Sequence, residues 1–152
     1  MTSDFFCYDG PHVFLTPRLP GVAMLKLQGI HHIAIIASDY ERSKRFYCDL
    51  LGFTLQHEIY RAARDSWKGD LALNGHYVIE LFSFPDAPSR VSRPEAQGLR
   101  HLAFAVEDID QSVSELTRRG VNCEPIRIDE ETGRRFTFFA DPDDLPLELY
   151  ER

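Results

Sequence analysis

One pattern occurs twice in this chain, and its repeated positions are residues that bind metals. Residues 32–39 read His-Ile-Ala-Ile-Ile-Ala-Ser-Asp and residues 101–108 read His-Leu-Ala-Phe-Ala-Val-Glu-Asp. Each copy runs on to a glycine, Gly52 or Gly120, and then 28 residues further to a glutamate in an apolar stretch, Glu80 or Glu148. The offset is 69 between the histidines (101 − 32) and 68 between the glycines and the glutamates (120 − 52, 148 − 80), so the second copy loses one residue between its histidine and its glycine. A duplicated unit that supplies one imidazole and one carboxylate is half of a metal site, completed when two halves face each other.

The period of the pattern predicts the elements. Leu25–Ala37 reads as a strand, with Ser38-Asp39 as a helix N-cap signal. Ser43, Phe46, Tyr47, Leu50 and Leu51 mark one helix face, ended by Gly52. Phe53–Arg61 and Asp70–Leu73 follow as strands around a polar loop, Arg64-Asp65-Ser66-Trp67-Lys68. Asn74-Gly75 then turns the chain into a strand over Tyr77–Phe84. The second copy repeats the order: a strand at Leu99–Val106, a helix marked by Ile109, Val113 and Leu116, and strands at Val121–Ile128, Phe136–Ala140 and Pro146–Tyr150. The fold class expected is α+β, two tandem βαβββ modules (24–84 and 99–152) joined by a proline-rich linker (85–98) and packed into a cupped, barrel-like sheet around a metal site. Residues 1–23 lie outside the repeat and lack the cationic start of a signal peptide. They are expected to be a poorly ordered or peripheral extension that can be removed, and Met24 is a candidate start.

Strand parity selects the ligands. Side chains alternate between the two faces of a strand, so His32 shares a face with Ala34 and Ile36 while His31 points the other way. His101 takes the place of His32 in the second copy, and Arg100 the place of His31. Glu80 lies between Ile79 and Leu81, and Glu148 between Leu147 and Leu149. Carboxylates in such a position are costly unless compensated, and a divalent cation compensates both. His12, His31, His57 and His76 have no counterpart in the repeat and are read as structural. Arg61, Arg64, Lys68, Arg127, Arg134 and Arg135 follow the second strand of each unit; they are either a solvated rim or an anion-binding mouth above the metal.

The remaining composition excludes more than it identifies. A net charge of −7 disfavours nucleic acid as partner, because neutralising phosphates needs a basic face. No apolar run is long enough to cross a membrane as a helix. Three cysteines, Cys7, Cys48 and Cys123, are odd in number and form no CxxC pair, which suits a reducing, cytoplasmic setting.

Three segments carry a family resemblance: Arg64-Asp65-Ser66-Trp67-Lys68-Gly69-Asp70, Tyr77-Val78-Ile79-Glu80-Leu81-Phe82-Ser83-Phe84-Pro85 and Gly98-Leu99-Arg100-His101-Leu102-Ala103-Phe104. On these the chain from Met24 to Arg152 resembles the vicinal oxygen chelate superfamily, which includes glyoxalase I, and most of all its bacterial YaeR-like branch. The resemblance implies paired modules around one divalent metal ion (Zn, Ni, Co, Mn or Fe), held by His32, Glu80, His101 and Glu148. It also implies a small-molecule substrate, and modules that pair either within one chain or across a homodimer. The sequence departs from the superfamily where Asp-Pro-Asp-Gly becomes Asp141-Pro142-Asp143-Asp144, so a strained turn is expected at Asp144.

Three functions fit these residues. The first is isomerase or lyase chemistry of the glyoxalase I (lactoylglutathione lyase) type, with Glu148, and Glu80 beside it, as the catalytic carboxylate that moves a proton on a substrate chelated to the metal. Arg61, Arg64, Lys68, Arg127 and Arg134 are then candidates to bind the substrate. The second is an Fe(II) extradiol dioxygenase, which needs two histidines and one carboxylate and leaves the other glutamate without a task. The third is a non-catalytic module that binds a small molecule or confers resistance to it.

Overall fold

Alternation along each strand determines which side chains go under a helix and which stay uncovered. The computed structural model describes residues 25–152. The first module contains β1 (Ile33–Ala37), α1 (Tyr40–Arg45), β2 (Thr54–Arg61), β3 (Ser66–Leu73) and β4 (His76–Ser83). The second contains β5 (Leu102–Val106), α2 (Ile109–Arg118), β6 (Arg127–Ile128), β7 (Arg135–Ala140) and β8 (Pro146–Glu151). The two four-stranded sheets have the same topology, β1-β4-β3-β2 and β5-β8-β7-β6, with the first strand of each parallel to the last. This is the duplicated βαβββ architecture expected from the sequence. The cup stays open, as two sheets that do not close into a barrel. Among the described residues no helix is long and apolar enough to cross a membrane.

Both helices start alike. Asp39 accepts from the Arg42 amide at 3.0 Å and Asp108 from the Gln111 amide at 2.9 Å, N-caps worth about 1 kcal/mol each. They end differently. α1 passes into a π-helical turn over Phe46–Leu50 before Gly52, at φ +81°, reverses the chain, whereas α2 remains α-helical. A π-turn is how a helix absorbs one inserted residue, and the first copy has one residue more than the second over this stretch.

Four expected boundaries move by three residues or more; the strand expected over Leu99–Val106, for one, begins at Leu102. The strand expected over Leu25–Ala37 begins only at Ile33, where ladder pairing with Ile79 of β4 starts; Leu25, Leu27 and Ile30, upstream of it, are exposed. The loop expected at residues 64–68 shrinks to a short turn with Asp65 left-handed at φ 46°, and β3 starts at Ser66. Ser66, Lys68 and Asp70 are polar because they lie on the uncovered face, not because they form a loop. The strand expected over Val121–Ile128 survives only as Arg127–Ile128. Pro125 has no amide to give to a ladder, so the approach is held by one backbone bond, from the Glu124 amide to the Phe138 carbonyl at 2.8 Å, and by the Thr137 hydroxyl, which donates to the Glu124 carbonyl at 2.7 Å. Asp144 does take the left-handed turn, at φ 65°. Residues 1–23 lie outside the described residues.

The core lies on the helix-covered faces and runs through both modules. Ile35, Leu71, Ile79 and Leu81 from one sheet and Phe139, Leu147 and Leu149 from the other belong to a single buried cluster with Tyr47 and Ile109. The modules meet there. Phe53 packs edge-on against Phe104, Phe46 lies 6.5 Å from Phe139, and the Arg119 guanidinium donates to the Leu50 carbonyl at 2.7 Å. Tyr47, fully buried, donates to Asp141 at 2.8 Å, and Asp143 receives the Ser38 amide at 2.9 Å. The opposite faces of the two sheets are therefore not packed against each other within the chain.

Candidate metal centre

His32 and His101 each stand one residue before the first strand of a module, at the same register. Ala34 pairs with Glu80 and Ala103 with Glu148, so each histidine shares the uncovered face with the glutamate of its own module. His32 Nε2 lies 3.2 Å from Glu80 Oε2 and His101 Nε2 lies 3.0 Å from Glu148 Oε2. Both glutamates are largely shielded, Glu148 down to 9% exposure. The four sequence-selected residues thus come together two by two. Among the described residues no three His, Cys, Asp or Glu side chains gather closely enough to hold a metal within one chain. The reason is the helix-face junction, which leaves the two uncovered faces apart.

Each half-site has its own surroundings. In the first, Lys68 bridges Glu80 Oε1 (2.8 Å) and Asp70 (2.6 Å), and these two hydrogen bonds raise the lysine's pKa. The Tyr77 ring lies 5.3 Å from the His32 ring and its hydroxyl is pushed up to about 12, chiefly by burial and then by the charges of Asp70 and Glu80. His31, read as structural from the sequence, has its Nδ1 2.8 Å from His32 Nδ1 and so fixes the tilt of that ring. In the second half-site, Arg100 takes the same position and lies 3.2 Å from His101 Nδ1. Phe138 stands edge-on to His101. A cavity of about 520 Å³ opens here, lined by His101, Glu148, Phe136 and Phe138 and roofed by the linker residues Arg90 and Arg93.

The candidate anion-binding residues separate. Lys68 touches the site directly. Arg127 lies over the rings of Phe136 and Phe138 in the cavity and is paired with Glu124 at 2.8 Å. Arg61 stacks on Phe82 and Phe84 at the end of β2. Arg64 and Arg134 are exposed in turns at the ends of β2 and β6. Arg135 pairs with Glu151 and Asp110 beside α2, a structural role. Asp70, Tyr77, Arg90 and Arg100 were not selected from the sequence. The alternation of Ser66, Lys68 and Asp70 would have revealed Asp70, whereas Arg90 and Tyr77 depend on tertiary contacts.

Residues 29–149 match the Glyoxalase/Bleomycin resistance protein/Dioxygenase superfamily. YaeR of Escherichia coli K12 is 70% identical over 129 residues, 85% of this chain and all of that protein. The chain belongs to this superfamily. YwkD of Bacillus subtilis 168 is 64% identical over 83% of this chain and 98% of its own length. A crystal structure of a glyoxalase family protein from Enterococcus faecalis superimposes with a TM-score of 0.76 at 46% identity, over 82% of this chain and 98% of that one. More distant members of the superfamily include a 2-epi-5-epi-valiolone epimerase from Actinomyces sp, 28% identical, and the glutathione transferase FosA of Serratia marcescens, 30% identical.

Proposed function

We propose that this protein is a divalent-metal-dependent enzyme of the glyoxalase type that moves a proton on a small oxygenated substrate, and that its centre forms between two copies of the chain. His32 and Glu80 of one copy and His101 and Glu148 of a second would hold the ion. The observation that carries this reading is the placement of two matched His–Glu pairs on faces the chain leaves uncovered, while the opposite faces are used up in joining the modules. Exposed apolar residues on the first of those faces, Ile36 at 52% and Ile59 at 45%, suit burial against another copy.

The donor set fits a cation. Two imidazole nitrogens and two carboxylates suit Zn, Ni, Co, Mn or Fe, and Glu148, nearly buried and paired with no lysine or arginine among the described residues, is costly without a counter-charge. Such an ion would draw the vicinal oxygens of a substrate together and stabilise the negative charge left when a proton departs alpha to a carbonyl. The protein supplies the rest. Glu148, shielded from water and oriented by His101, is placed to take that proton and return it to the neighbouring carbon, and Glu80 is the matching carboxylate across the site. Lys68 holds Glu80 at a fixed angle, and Phe136 and Phe138 give the second half-site an apolar wall. An epimerase among the relatives is consistent with proton transfer of this kind.

The test combines metal analysis of the purified protein with a screen of hemithioacetals in deuterated water. Expected are one metal ion per chain, solvent deuterium at the substrate's alpha carbon, and loss of that exchange by about 10² to 10⁴ in Glu148→Gln. Oxygen uptake with a catechol would favour the dioxygenase alternative, and ligand binding without turnover the non-catalytic one.

A further inference from the structure

Arg61 ends β2 on the same face as Glu80. It pairs in register with Ser66, and Ser66, Lys68 and Asp70 alternate along β3 up to the partner of Glu80. Its guanidinium carbon lies 4.8 Å from the centre of the Phe82 ring and 5.5 Å from that of Phe84. Phe82 is two residues from Glu80 along β4, which puts the cation roughly 7 Å along the strand from the metal-binding carboxylate.

The guanidinium is short of acceptors. Its Nη2 donates to Ser66 Oγ at 2.8 Å, but its Nε is buried without a partner, and no carboxylate pairs with it among the described residues. The other cations at the two half-sites are engaged: Lys68 by Glu80 and Asp70, Arg127 and Arg93 by Glu124, Arg100 by Glu95, and Arg90 by the carbonyls of Leu99 and Arg100. Acidic residues outnumber basic ones 24 to 17 in this chain, so a half-buried arginine without an acidic neighbour is a notable exception. A guanidinium held flat by two rings has a preset fork for two oxygens, the geometry that carboxylates and phosphonates fit.

We infer that Arg61 binds the anionic end, a carboxylate or a phosphate or phosphonate, of the substrate whose oxygens would be held at the centre that Glu80 helps to form. The inference rests on the proposed metal-centred reading and names the substrate class for it. The apolar walls of Phe82 and Phe84 fix the arginine so that the anion sits at a set distance from the reacting carbon.

The test is an NMR titration of the full chain, before and after treatment with a chelator, with phenylphosphonate and, separately, benzoate. Both anions should saturate, shifting the Arg61 guanidinium signals and the ring signals of Phe82 and Phe84; the tighter of the two identifies the group. Arg61→Met should raise Kd about tenfold or more, Arg61→Lys should recover part of the loss, and Arg64→Met should stay within about twofold of wild type. Calorimetry with Ni²⁺ on the same samples reads the metal site alone, and Arg61→Met should match wild type there. Saturation in wild type that bypasses Arg61, no saturation at all, or equal losses in Arg61→Met and Arg64→Met would overturn the inference. Ni²⁺ binding without anion binding sinks only this inference, and anion binding without Ni²⁺ binding sinks only the metal reading.

Discussion

Replacing Tyr47 by Phe probes the junction that keeps the two half-sites of one chain apart. The Tyr47 hydroxyl is one of three donors to Asp141, at 2.8 Å, beside the amides of Asp143 at 2.9 Å and Leu145 at 2.8 Å. Asp141 is 6% exposed, so water does not replace the missing donor. A hydrogen bond to a charged group contributes about 1.5–3 kcal/mol, which for a chain of this size lowers Tm by roughly 5–10 °C. The sign of the pH dependence follows. Burial, the largest influence, raises the Asp141 carboxyl above its usual value, and the bond from Tyr47 pulls it back. Without that bond the pKa rises further. A raised folded-state pKa means the folded protein binds more protons than the unfolded chain above about pH 4, so this group's contribution falls as pH climbs through the window. The loss in Tyr47→Phe should therefore be larger at pH 7 than at acid pH, where Asp141 is protonated. Urea unfolding at both pH values measures it. A loss below about 0.5 kcal/mol, or one that shrinks as pH rises, would refute the reasoning.

Two further substitutions address the first module. A methyl group at Gly69 would collide with the Tyr40 hydroxyl, and Tyr40 is held by its stack on Trp67 and its bond to Glu58; Gly69→Ala should cost about 1–3 kcal/mol in thermal unfolding and disturb Lys68 and Asp70 on the other face. The Lys44 hydrogen bond, with a second from Tyr40, lowers the Glu58 pKa, so this carboxylate stabilises the fold above its ordinary value and the contribution is lost as pH falls through the depressed one. Glu58→Gln should reduce stability at pH 7 and flatten the acid limb of a Tm-versus-pH curve; an unchanged limb contradicts it.

The duplicated topology and the His–Glu pairing within each module were legible in the sequence because both follow from periodicity. The repeat assigned one histidine and one glutamate to each module, parity chose His32 over His31, and the lost residue located the one place where the helices differ. Less legible was anything decided by contacts between elements. Nothing in the periodicity of Tyr47 or Phe46 says that their helix face packs on the second module rather than on solvent, and that contact decides whether the four candidate ligands meet within one chain. Pro125 was visible, yet its effect depended on β7 lying beside it. Ser66 and Lys68 looked like loop residues because a polar site face and a polar loop share a composition.

The central claim is that each metal centre takes one half from each of two chains, and mixing two disabled variants tests it most directly. His32→Ala/Glu80→Ala lacks the first half-site and His101→Ala/Glu148→Ala the second, so neither alone should bind Ni²⁺. Unfolded and refolded together in equal amounts, they form mixed dimers in which one centre receives both intact halves. Random pairing makes about half of the dimers mixed, and one of the two centres in each is whole, so Ni²⁺ bound per chain should recover to about a quarter of wild type. No recovery in the mixture, with each variant folded and wild type refolded in parallel still binding Ni²⁺, would contradict the account.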